Sequence, residues 1–115
     1  HGQLWLIDHG AALYFHHDWR DHLARSRSPF ALIKDHVLLP FASRLAEADA
    51  QFAAALAPEV LARIVGLIPD AWLEDDAGFA SQAAHRDAYL DYLQQRLAAP
   101  RAFNEEAIRA RAQHV

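Results

Sequence analysis

The sequence predicts a mainly α protein, a helical lobe with one short β-strand near its N-terminus. Alanine, the residue with the highest helix propensity, accounts for 25 of the 115 residues. Apolar residues recur at helical spacing in residues 30–39, 59–68 and 79–97. The continuous apolar run at residues 4–7 lies between Gly2 and Gly10, which predicts a strand with a turn on each side.

Prolines bound most of the helices that we predict after Gly10. Proline suits the first turn of a helix and cannot continue one, so it marks where helices begin and end. The predicted helices span residues 30–39, 47–56, 58–68, 79–97 and 101–113. Residues 11–19 form either an aromatic loop or a short helix, and the last helix is expected to fray because its apolar content is low.

The same patterns predict the core. Five residues follow an amphipathic i, i+1, i+4, i+5, i+8 pattern, namely Val60, Leu61, Ile64, Val65 and Ile68. Four aromatic residues are expected to be buried or half-buried, namely Trp5, Trp72, Tyr89 and Tyr92.

Composition excludes several functional classes. Eleven basic residues against 15 acidic ones give a net charge of −4, which offers no basic surface for nucleic acid or an anionic membrane. No stretch approaches the roughly 18 consecutive apolar residues of a membrane span. The absence of cysteine excludes disulfides and thiolate sites from this chain. A cytoplasmic protein is therefore expected.

The N-terminal residues suggest a piece of a longer protein. The sequence has no methionine, and His1-Gly2 resembles the end of a hairpin turn whose first strand is missing. A lone strand cannot satisfy its backbone groups, so we expect the chain to begin inside a larger β element. In the isolated chain, residues 4–7 are expected to be poorly ordered or to pair with a second copy, giving a homo-oligomer.

The most specific chemical feature is formed by Asp8 and Gly10. Kinases place a carboxylate directly after a buried strand, where it binds the Mg²⁺ that bridges the phosphates of ATP. A glycine two residues later lets the backbone turn tightly. Asp-x-Gly is more common in ordinary turns, so the tripeptide alone favours a structural turn over a metal site.

Four segments together resemble a known family. Their sequences are Leu4-Trp5-Leu6-Ile7-Asp8-His9-Gly10-Ala11-Ala12-Leu13-Tyr14-Phe15-His16-His17, Ile33-Lys34-Asp35-His36-Val37-Leu38-Leu39-Pro40, Leu67-Ile68-Pro69-Asp70-Ala71-Trp72-Leu73 and Ala98-Ala99-Pro100-Arg101. They resemble the bacterial HipA-like kinases of the protein-kinase and phosphoinositide-kinase superfamily. The resemblance implies a strand and metal-binding turn at residues 1–10, followed by a single helical C-lobe at residues 11–115. It also implies that Asp8 binds Mg²⁺, that Gly10 is the turn glycine, and that ATP is the bound nucleotide.

The resemblance implies a kinase whose other catalytic elements precede this chain. A kinase needs a phosphate-covering loop, a nucleotide-binding lysine and a catalytic aspartate, all upstream of the metal-binding aspartate. Seven residues before Asp8 cannot hold them, and Lys34 follows Asp8. We therefore expect phosphoryl transfer in the parent protein, an inactive isolated chain and an unknown phosphate acceptor. The alternative is a non-catalytic helical protein-interaction module.

A histidine-rich segment offers a second possible metal site. In a helix, His17 would face Asp21, and Asp18 would face His22, with His16 nearby. Transition-metal sites need further ligands at set positions, and none are evident, so a polar loop is the expected structure. No nucleophile-elbow sequence surrounds the serines considered as nucleophiles, which are Ser26, Ser28, Ser43 and Ser81.

Overall fold

The structure is a computed structural model that describes residues 2–9, 12–73 and 77–114. Over these residues the chain is mainly helical, as predicted, and contains no strand. The α-helices are α1 (His22–Arg25), α2 (Leu45–Ala55), α3 (Pro58–Gly66), α4 (Gln82–Leu97) and α5 (Ala102–Ala112). Short 3₁₀ helices lie between them at Phe15–His17, Ala31–Asp35, Leu39–Phe41 and Asp70–Trp72. None of the helices in the described ranges has the length and apolar character needed to span a bilayer.

Residues 4–7 do not form the predicted strand. They have no regular secondary structure, and their side chains are exposed. A strand needs a neighbour that takes up its N–H and C=O groups, and no segment within the described ranges provides one. The predicted burial of two tryptophans is also wrong, because Trp5 is 73% exposed and Trp72 is 74% exposed.

The predicted helix over residues 30–39 is instead two 3₁₀ helices separated by residues 36–38, and the backbone of His36 is extended. In an α-helix the residue at position 40 would donate its N–H to the carbonyl of His36. Pro40 has no N–H, and its ring would collide with that carbonyl. The Leu39 N–H donates to the His36 carbonyl instead, at 3.0 Å, and the Leu39 side chain is buried.

Helices α2, α3 and α4 agree with the sequence prediction to within a few residues. Pro58 lies in the first turn of α3, and Leu61 and Val65 are buried on a helix that contacts α4. Helix α4 begins three residues later than predicted because Ser81 caps it. The Ser81 hydroxyl accepts a hydrogen bond from the Ala84 N–H at 3.0 Å.

Helix α5 contacts α2 and the 3₁₀ helices of residues 31–41. Ala107 and Ala110 form a buried cluster with Leu39, since small side chains let the helix approach closely. Arg101, directly before α5, makes two hydrogen bonds to the carboxylate of Asp49 on α2, at 2.8 and 2.7 Å. These contacts attach α5, whose apolar content is low, to the rest of the chain, and the helix continues to Ala112.

Two arginines connect the loop after α1 to the C-terminal end of α4. Arg96 Nη1 donates to the carbonyl oxygen of Ser26 at 3.1 Å and to that of Ser28 at 3.3 Å. Arg27 Nη1 donates in the opposite direction, to the carbonyl oxygen of Ala98 at 3.0 Å. Backbone carbonyls that no helix satisfies therefore receive donors from arginine side chains.

Candidate functional site

Asp8 lies at an exposed turn at the end of the irregular N-terminal segment. Its backbone φ is 57°, in the left-handed region that few residues other than glycine, asparagine and aspartate adopt readily. The Ala12 N–H donates to the His9 carbonyl at 3.1 Å, so the chain turns directly after Asp8. The Asp8 side chain is accessible to a ligand, whereas Gly10, the predicted turn glycine, lies outside the described residues.

A lone carboxylate limits which metal Asp8 can bind. Within the described ranges no group of three or more His, Cys, Asp or Glu side chains is arranged to hold a metal ion. Mg²⁺ in nucleotide-dependent enzymes is bound by one or two carboxylates together with phosphate oxygens and water. Asp8 fits a magnesium site that phosphates complete and does not fit a site made only of protein ligands.

The histidine-rich segment does not form the helix that the second metal site requires. The 3₁₀ helix ends at His17, and α1 begins only at His22. The Asp18 carboxylate pairs with Arg20 at 2.7 Å, and these hydrogen bonds hold the pKa of Asp18 well below its usual value. The His22 Nδ1 atom lies 3.2 Å from the Trp19 carbonyl oxygen. Asp18 and His22 thus have other partners and are not paired as the helical arrangement predicts.

An aromatic cluster joins the segment after Asp8 to α4. Its members are Phe15, Trp19, Phe79, His85, Tyr89 and Tyr92. Phe15 stacks on Tyr92 with ring centroids 3.6 Å apart and planes 8° from parallel. Trp19 makes edge contacts with Phe79 and Tyr89 at 5.0 and 4.9 Å. The cluster therefore attaches residues 15 and 19, which follow Asp8 by seven and eleven positions, to α4.

The sequence identified only part of the aromatic cluster. Packing of Tyr89 and Tyr92 was predicted, and Tyr92 is buried while Tyr89 is half-buried. His85 was missed, although His85, Tyr89 and Tyr92 follow the i, i+4, i+7 spacing of one helix face. Phe15 is buried as well, in a segment where no period-3.6 pattern marks it.

His16 sits at the edge of this cluster, and its ring centroid lies 4.2 Å from that of His17. Burial lowers the pKa of His16 below 6.5, and repulsion from His17 lowers it further.

The two serines with described hydroxyl contacts have structural roles. Ser26 is buried and donates to the Leu23 carbonyl oxygen at 2.5 Å, while Ser81 caps α4.

A cavity of about 630 Å³ is lined by residues that follow Asp8 in the sequence. Apolar and aromatic side chains make up most of its wall, and Arg96 and Asn104 contribute polar groups. The sequence did not reveal it. Its wall is assembled from five separate segments between residues 12 and 107, so no local spacing marks it.

Comparison of the chain with protein-family models, with curated proteins and with solved structures finds no match. Three features of the molecule bear on its function. They are the accessible turn at Asp8, the aromatic cluster that follows it, and the cavity near Arg96.

Proposed function

We propose that this chain is the helical C-terminal lobe of an ATP-dependent kinase similar to the bacterial HipA-like kinases, and that the parent protein transfers phosphate. The observation that carries the proposal is the Ile7-Asp8-His9-Gly10 motif, with the Asp8 carboxylate exposed at a turn. A mainly helical body after that turn supports it, because a kinase C-lobe is helical. We place the parent protein in the cytoplasm, where ATP and Mg²⁺ are present.

Asp8 and the residues after it have separate roles in this proposal. The Asp8 carboxylate binds Mg²⁺ together with the phosphates of ATP, and Gly10 allows the chain to turn away. Asp8 would hold the ion, which when bound would supply positive charge next to the phosphates. Phe15 and Trp19 anchor the following segment to α4, which restricts the positions that Asp8 can take. The phosphate acceptor is not specified by these residues.

The test is ATP turnover by the complete parent protein with and without Asp8→Asn. This change keeps the size of the side chain and removes its charge. Loss of about 3 kcal/mol of transition-state stabilisation, within the range for a catalytic metal, corresponds to roughly a 100-fold lower rate. His17→Gln is the control, because His17 is exposed and takes no part in the proposal. Full activity of Asp8→Asn would refute the magnesium role.

A second candidate is a non-catalytic module that binds a protein partner through apolar surface. The side chains of residues 4–7 are between 73 and 84% exposed, and Phe41 and Leu67 are each 80% exposed. The four consecutive exposed apolar residues at 4–7 would supply such a surface. Absence of ATP turnover by the parent protein, both with and without Asp8→Asn, would favour this candidate over the kinase.

A further inference from the structure

The cavity of about 630 Å³ begins at Ala12, close in sequence to the proposed nucleotide site, but Asp8 is not part of its wall. Segment 12–14, segment 30–33, Leu45 of α2, the C-terminal end of α4 and the first half of α5 form its wall. Its volume falls within the roughly 300–1,000 Å³ of small-molecule sites.

The wall is mainly apolar, and part of it remains in contact with water. Leu13, Tyr14 and Phe30 line the cavity, yet each is about half exposed or more. Ile33 and Phe103 extend the same surface inward, where they are half-buried. Covering such surface is favourable in proportion to the apolar area removed from water, so the cavity suits a ligand with an apolar body.

Arg96 gives the wall a single fixed charge. Its Cζ atom lies 4.6 Å from the centroid of the Phe103 ring, and its Nη1 atom donates hydrogen bonds to the carbonyl oxygens of Ser26 and Ser28. The guanidinium is therefore held in place. Its Nε and Nη2 atoms make no hydrogen bond to residues in the described ranges, so donors remain for a ligand.

The rest of the wall also suits a negatively charged ligand. Asn104 adds a neutral amide, and no acidic side chain in the described part of the chain lines the cavity. A guanidinium binds a carboxylate through charge-assisted hydrogen bonds, whereas it repels a cation. A ligand that matches this wall has an apolar body and one negative group, and is therefore a small amphipathic anion.

We propose that this cavity binds a medium-chain carboxylate, with its hydrocarbon body against Phe30, Ile33 and Phe103 and its carboxylate at Arg96. The proposal does not depend on the kinase assignment. Neither ATP nor Asp8 takes part in it, and failure of one proposal leaves the other unaffected.

Calorimetric titration of the 115-residue chain with decanoate and with decyltrimethylammonium tests the proposal. The two probes share an apolar tail and differ in the sign of the headgroup. We expect one decanoate per chain, bound at least tenfold more tightly than the cation. Equal affinities, or no binding of decanoate, would overturn the proposal.

Two variants locate the binding. Ala12→Trp places a large side chain at the exposed wall of the cavity and is expected to weaken decanoate binding at least tenfold. Ala50→Trp makes the same change on the exposed face of α2, away from the wall, and is expected to bind like the unmodified chain. Unchanged binding by Ala12→Trp would place decanoate elsewhere and overturn the proposal.

Arg96→Gln tests the charge and is expected to remove the preference for decanoate over the cation. Arg96 also holds the carbonyls of Ser26 and Ser28, so circular dichroism must first show that the variant is folded. A folded Arg96→Gln that keeps the full preference would overturn the role of Arg96. Ala12→Trp decides the proposal if Arg96→Gln unfolds, because Ala12 is exposed and its hydrogen bond to His9 comes from the backbone.

Discussion

Replacing Phe15 with alanine tests whether the aromatic cluster holds the segment after Asp8 against α4. Phe15 is 3% exposed and stacks on Tyr92 at 3.6 Å. Removing a buried phenylalanine ring costs about 3–5 kcal/mol, from lost burial and the cavity left behind. A domain of this length has a free energy of unfolding of about 6–17 kcal/mol, at roughly 0.05–0.15 kcal/mol per residue. The variant should therefore lose at least about a sixth of its free energy of unfolding, and most of it if the chain is at the low end of that range.

Urea unfolding followed by far-UV circular dichroism measures this loss. The matched control is Phe41→Ala, because Phe41 is 80% exposed and its replacement should change the free energy of unfolding by no more than about 0.5 kcal/mol. Equal losses for Phe15→Ala and Phe41→Ala would refute the packing of the cluster.

A double-mutant cycle isolates the stacking from simple burial. Phe15→Leu and Tyr92→Leu keep apolar volume in place and remove one ring each. The interaction between the two rings should appear as a coupling free energy of about 0.5–1.5 kcal/mol. Strictly additive losses would show that the rings do not interact beyond the area they bury.

Three further predictions concern pH, nucleotide and assembly. Because burial lowers the pKa of His16 below 6.5, the unfolded chain binds that proton more readily. The free energy of unfolding should therefore fall as the pH drops through 6.5, and His16→Gln should reduce this fall in urea titrations. The isolated chain should bind Mg·ATP weakly or not at all, since one carboxylate cannot hold Mg²⁺ alone; micromolar affinity by calorimetry would contradict this. Residues 4–7 should be either poorly ordered or paired with those of a second chain; in the paired case light scattering should show a dimer that Leu6→Pro converts to monomer, and a wild-type monomer would refute the pairing.

Helices with strong local patterns could be predicted from the sequence. Helix α3 has a proline in its first turn and an apolar stripe that includes Leu61 and Val65, and both residues are buried against the rest of the fold. The alanine content of α2 favours a helix whatever its surroundings. These features depend on residues within one or two turns of each other, so the sequence alone contains them.

Features that depend on distant partners could not be predicted. The apolar run at residues 4–7 has β-favouring composition, but a strand forms only when another segment pairs with it. Trp72 is large and apolar, yet it lies on an exposed 3₁₀ turn that no helix among the described residues covers. Residues 30–39 have helical spacing, yet they form two 3₁₀ helices with an extended backbone at His36 between them, and Pro40 prevents an α-helix only from continuing past residue 39.

The candidate site also combines a local feature that the sequence indicates with a non-local feature that it does not. Asp8 was found from a motif of three residues, because a turn with a carboxylate is a local arrangement. The cavity at Arg96 was missed because its wall combines residues that are up to 95 positions apart, from Ala12 to Ala107. Only the folded chain brings them together.

The arginine contacts at the end of α4 have a consequence for the order in which the chain folds. The bond from Arg96 to the Ser26 carbonyl spans 70 residues, and the bond from Arg27 to the Ala98 carbonyl spans 71. The entropy lost in closing a loop increases with its length, so helices that are neighbours in sequence, such as α3 and α4, should associate earlier. The wall that contains Arg96 would then be completed last, and folding intermediates would have formed helices before they could bind a ligand there.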